Sequence, residues 1–342
     1  MLSLFLKEKE FNAYLNNLLS FNKVIGPVAE KNKFIFSELN SYKDLRLDFD
    51  TTILPPKKLF FPPAQELLKF DQNGFKEVLK PKKMILFGVH FYDLKGIDMT
   101  DFFFSEGNKD INYLANREAT TIVGSNIQSI SKNGFWASIA KNIKPKGHDA
   151  FLTKIDTGYV FEILTPKGED IIKYGNFLPA SKEQINESME VNKKALKECK
   201  KSFSYTPEEI ATKVRERFND EKLWTDFSKD CFSCGSCNLV CASCYCFDVQ
   251  DKWNLDQVSG NRTRFWDGCL TRDFAQISLG GDKIENFRDK KYMRFRHRIM
   301  RKTTYLNHKL GGPACTGCGR CADACTADIA DPVAVIKKIM KS

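Results

Sequence analysis

The stretch that decides the fold is CFSCGSCNLVC at residues 231–241, read together with its second copy, CTGCGRCADAC, at residues 315–325. Both follow the spacing Cys-x2-Cys-x2-Cys-x3-Cys. Three thiolates at this interval wrap one corner of a cubane, and the fourth cysteine, on the helix that follows, points to the second cubane of a two-cluster protein. The spacing assigns Cys231, Cys234, Cys237 and Cys325 to one [4Fe-4S] cluster, and Cys315, Cys318, Cys321 and Cys241 to the other. Gly235, Ser236, Gly317 and Gly319 are small enough to let backbone N–H groups approach the sulfurs, which tunes potential. A zinc ribbon is the competing reading. A tetrahedral ion takes four ligands, and these runs supply too many at the wrong pitch. The proline that usually follows the fourth cysteine is Ala242 in one copy and Thr326 in the other, so the turn there is less rigid.

The 73 residues between Cys241 and Cys315 exceed what a compact two-cluster ferredoxin accommodates, and they include helix-prone stretches. The expectation is therefore an α-helical ferredoxin-like dicluster domain at 226–342. Within that interval, Cys244, Cys246 and Cys269 form a further set. They are candidates for a third metal centre, with Asp248, Asp267 or Cys199 as a fourth ligand, or else small buried hydrophobes.

Outward from the cysteines, the fold class reads as α+β. Phe11, Leu15, Leu18 and Leu19 recur at helical spacing, and strands are expected at 24–25, 34–36, 84–91 and 121–124. The 84–91 run is apolar on both faces and belongs in the middle of a sheet. Prolines at 55, 56, 62 and 63 make 57–61 an extended edge or loop. Asp156-Thr157-Gly158 joins 150–155 to 159–164 as a hairpin. These features make 1–175 an α/β partner-docking domain. A polar helical connector follows at 176–225, in which Thr206-Pro207-Glu208-Glu209 supplies an N-cap, proline at N1 and an acidic first turn.

Composition is that of a globular chain of about two domains: 342 residues, 42% apolar and 28% charged. No run is long and apolar enough for a membrane span, and the first residues lack a basic n-region and cleavage site, so a cytoplasmic protein is expected. The net charge of +10 would point to nucleic acid or an anionic membrane. Eight thiolates offset by two 2+ cubane cores would remove four of those charges. The basic run RDKKYMRFRHRIMRK at 288–302 then reads first as a solvated or cluster-compensating helix, with a docking face for an acidic partner next and nucleic acid last. His90, His148, His297 and His308 share no spacing, and no hydrolase triad, HExxH, P-loop or GxGxxG occurs.

The runs TILPPKKLFFPP (52–63), LFGVHFYD (86–93), CASCYCFDVQD (241–251), residues 262–269 and the second cysteine run together resemble the beta subunit of cytoplasmic sulfhydrogenases. The iron-sulfur subunit of anaerobic sulfite reductases is similar too. The resemblance spans nearly the whole chain and includes Cys244, Cys246 and Cys269. It implies an iron-sulfur subunit relaying electrons between a flavoprotein subunit that reacts with NAD(P)H and a catalytic subunit of [NiFe]-hydrogenase or sirohaem type. Such a subunit has no catalytic centre of its own; the alternative is a catalytic redox subunit with an open metal site at Cys244, Cys246 and Cys269. The family's N-terminal cysteine set is absent here, its places taken by Tyr92, Asn126 and Gly134-Phe135-Trp136.

Overall fold

The computed structural model describes residues 2–139 and 146–342. It divides into two compact units, each discontinuous in sequence: Met1–Phe60, Lys80–Lys132 and Lys141–Lys200 form one, and Phe61–Leu79, Asn133–Ala140 and Lys201–Ser342 the other. The contiguous segments expected from the sequence are thus interrupted, because residues 61–79 leave the first unit to pair with strands near the cysteines.

The first unit is built on an eight-stranded mixed sheet. Met84–His90 lies inside it, parallel to both Thr120–Ser125 and Val24–Glu30. All seven of its residues are buried, as an apolar run covered on both faces requires. Ala150–Ile155 and Gly158–Ile163 form the expected hairpin, and Leu2–Lys7 pairs against it. Helix Glu8–Phe21 lays Phe11, Tyr14, Leu15 and Leu18 onto Phe87, Leu152 and Phe161 in the main core. Residues 57–61, expected to be extended or loop, contribute to a tight 3-10 turn at Pro56–Leu59, with proline fixing φ at its start.

The stretch 176–225 does not stand apart as a connector. Lys182–Lys197 belongs to the first unit, where Asn192 Nδ2 donates to Thr153 Oγ1 at 2.9 Å. Pro207–Glu216 belongs to the second, with Thr206 as N-cap and Glu209 closing the capping box.

In the second unit, Pro207–Glu216, Glu221–Ser228, Lys291–Thr303 and Pro332–Lys341 share one core around Val214, Trp224, Phe295, Ile299, Ile336 and Ile339. The interval between the two cysteine runs is not chiefly helical as expected. It carries strands Phe247–Trp253 and Gly260–Trp266, completed by Ala64–Asp71 and Gly74–Glu77 into a four-stranded antiparallel sheet. Arg262 grips Asp251 with two 2.7 Å hydrogen bonds, and buried Arg264 lies over the rings of Phe61 and Phe247. Cross-strand pairs of this kind outweigh local helical preference. Among the described residues no helix is long and apolar enough to cross a membrane.

Candidate metal centre

Eleven of the twelve cysteines collect around three cavities of the second unit. The first is lined by Cys231, Cys234, Cys237 and Cys325, with Leu270, Phe295 and Ile329 as apolar wall. The second is lined by Cys315, Cys318, Cys321 and Cys241, against Phe135, Ile299 and Ile336. Each cavity thus gathers three cysteines of one run and the fourth of the other. The sets are neighbours: Cys321 is close enough to Cys237 for its thiolate charge to disfavour that of Cys237. The third cavity is lined by Cys244, Cys246 and Cys269.

Backbone conformation places the sulfurs. Gly317 and Gly319 have φ of +75° and +82°, where side chains are strained. A Cβ at Gly317 would lie 2.4 Å from Trp136 Cα, and one at Gly319 2.3 Å from the Asn133 carbonyl oxygen. Residues 133–136 therefore press directly on the second run, where the Phe135 N–H donates to the Gly317 carbonyl at 2.8 Å. In the first run, Ser233 takes the equivalent left-handed conformation at φ +56°. Its amide donates to Cys231 Sγ at 3.4 Å, while Arg294 Nη2 donates to its hydroxyl at 3.1 Å.

Helix Lys291–Thr303 supplies the charge. Arg294, Arg298 and Lys302, four residues apart, fall on one face. Burial works against the Arg298 cation, but Cys237, Cys321, Cys241 and Cys244 around it hold its pKa well above the ordinary value. Lys302 is likewise held up against burial by Cys241 and Cys244. Burial pushes the thiols of Cys237 and Cys321 up to about 12 and that of Cys315 up to about 11. Exposed Cys234 goes the other way, lowered by the Ser236 hydroxyl. Thiols buried this way become thiolates when a cation of their own displaces the proton.

These features fit an anionic cluster. Each of the first two cavities offers four sulfur donors and an apolar wall, and the buried Nε–H of Arg298 has no hydrogen-bond partner among the described protein atoms. Among the described residues, no group of three or more His, Cys, Asp or Glu is placed to hold a single metal ion, which counts against zinc and not against a multinuclear cluster, whose cysteines bind separate irons.

The sequence comparisons point the same way. Residues 230–329 match the 4Fe-4S dicluster domain family. Over 326 residues, 95% of this chain and 94% of the relative, the chain is 31% identical to sulfhydrogenase 2 subunit beta of Pyrococcus furiosus. The chain belongs to the sulfhydrogenase beta-subunit family. It is accordingly an iron-sulfur electron-transport protein with a dicluster domain. No solved structure matches it.

Within this beta-subunit chain, other sequence candidates are more widely placed. Neither Asp248 nor Asp267 lines the third cavity: Asp248 is exposed and accepts from Gln250, and Asp267 accepts from the Gly268 N–H and the Thr271 hydroxyl. Cys199 lies in the first unit. His90 stacks on Phe49 at 3.8 Å, within the first unit, and His297 lines the third cavity, its pKa pushed down to about 4 by burial and by Arg288, Arg301 and Arg296. Tyr92, Asn126, Phe135 and Trp136 are buried, and Asn126 Oδ1 accepts from the Lys154 N–H at 3.0 Å. Sequence reasoning missed Asn238, which donates to Cys269 Sγ at 3.3 Å and Cys244 Sγ at 3.7 Å. It also missed the inward stripe of Arg294, Arg298 and Lys302, although its four-residue spacing was legible.

Proposed function

We propose that this chain is a one-electron relay holding two [4Fe-4S] clusters, the first on Cys231, Cys234, Cys237 and Cys325 and the second on Cys315, Cys318, Cys321 and Cys241. The observation that carries the reading is the pair of adjacent cavities, each lined by four cysteines drawn crosswise from the two runs. When bound, each cluster supplies reversible one-electron chemistry; the protein supplies ligation, burial and charge. Arg298 and Lys302 offset negative charge where it accumulates on reduction, and the apolar walls keep water away. The second unit is read as a ferredoxin-like domain extended by a β-sheet.

Electrons pass between a flavoprotein subunit that reacts with NAD(P)H and a catalytic subunit. The name of the Pyrococcus furiosus relative favours hydrogen or sulfur chemistry over sulfite for that partner. The chain acts without nucleic acid and in the cytoplasm, its excess positive charge being spent on cluster compensation.

Voltammetry of the anaerobic full-length chain tests the relay. The expected result is reversible one-electron waves with no catalytic current on adding hydrogen, polysulfide or sulfite. A substrate-dependent current from this chain alone would replace the relay with a catalytic subunit.

A further inference from the structure

We infer that Cys244, Cys246 and Cys269 hold a third iron-sulfur cluster, an inference that rests on the two-cluster reading and extends it. The three thiols arrive from two segments. Cys244 and Cys246 follow the last cysteine of the first run, and Cys269 follows strand Gly260–Trp266. They meet at one cavity of about 170 Å³, against about 30 and 20 Å³ for the two cavities already described.

Asn238 organises the meeting. It is buried, and its amide nitrogen donates to Cys269 at 3.3 Å and to Cys244 at 3.7 Å. Those two distances bound the separation of the sulfurs at about 7 Å. An amide has two N–H donors, one for each acceptor. The close approach depends on Gly268, where a Cβ would lie 2.7 Å from Asn238 Cβ. Two thiols held by one amide are presented as ligands are, with a neighbour that fixes their direction.

The rest of the wall decides between packing and binding. Cysteines that serve as small hydrophobes sit among apolar side chains. Here the cavity also carries Arg298, Arg301 and Lys302, and Arg298 is 3% exposed. Buried cations need anionic partners, and three thiolates on a cluster provide them. A single zinc ion suits the donor set less well, since among the described residues no three such donors are placed to share one ion. Three cysteines leave one iron of a cubane without a sulfur ligand from the protein, and His297 is the wall residue that can take that position.

The test is iron and acid-labile sulfide per chain, with EPR of the dithionite-reduced protein, on the anaerobically reconstituted full chain and its Cys244→Ser/Cys269→Ser variant. About twelve irons in the parent and about eight in the variant, with the remaining two signals unchanged, is the expected result. Eight irons in the parent overturns the third cluster and leaves the two-cluster relay standing, whether or not the variant folds. One zinc with eight irons overturns it equally. Fewer than about four irons sinks both readings. His297→Ala is expected to keep the iron and change one signal alone; three unchanged signals remove His297 as the fourth ligand.

Discussion

The two cysteine runs have one spacing and two surroundings. In 231–241, Cys234 is exposed, Phe232 stands 70% exposed beside it, and a serine occupies the left-handed position. In 315–325, Thr316, Gly317, Cys318 and Gly319 are all buried, and glycine occupies that position because the 133–136 backbone leaves no room for a Cβ. Identical ligand spacing therefore fixes what is bound, while burial fixes how accessible and how electropositive each site is. Cys234 of the first set is open to solvent; the second set lies against Arg298 and Lys302, and Arg298 also adjoins Cys237.

Losing a buried ligand breaks this contrast most severely. Cys321→Ser is expected to remove about four irons and most soluble protein, because metal binding there is also folding energy. Cys234→Ser is expected to remove as much iron, from the other cluster, and leave a folded chain, read by iron assay and circular dichroism. Next comes backbone fit. Gly317→Ala should destabilise the iron-loaded chain by roughly 2–4 kcal/mol, from positive φ and a clash with backbone. Ser233→Gly should stay within about 1 kcal/mol, relief of strain offsetting the lost Arg294 hydrogen bond. Denaturant melts under anaerobic conditions compare the two.

Charge gives a smaller effect. Arg298→Met should lower the potential of the enclosed cluster by roughly 50–100 mV with iron content unchanged, since reduction adds negative charge next to the missing cation. Redox-poised EPR reads it, and an unchanged potential would show that Arg298 is only structural. The mildest test is kinetic: under an iron chelator, the cluster of the exposed run should be lost first, by a few-fold in rate.

How much of this was legible in sequence depended on how local the cause was. Ligand spacing is written within eleven residues, and the crossed grouping of Cys241 and Cys325 follows from it. The 84–90 strand announced itself by apolar residues on both faces, and Thr206 by the proline and acidic first turn that follow it. The sheet around 247–266 did not, because Phe247–Trp253 is exposed throughout and its alternation of Phe247, Val249 and Trp253 is interrupted by Asp251. Its neighbour Gly260–Trp266 pairs with Ala64–Asp71, nearly 200 residues earlier. The fourth-ligand candidates Asp248 and Asp267 failed for a similar reason: proximity in sequence to Cys246 and Cys269 did not aim their side chains at the cavity.

The central claim is that each cluster takes one ligand from the other run, and EPR of Cys325→Ser tests it most directly. The account predicts that this variant perturbs the same signal that Cys234→Ser abolishes, the chelator-labile one, and spares the signal lost in Cys318→Ser. Perturbation of the Cys318 signal instead would contradict the crossed arrangement.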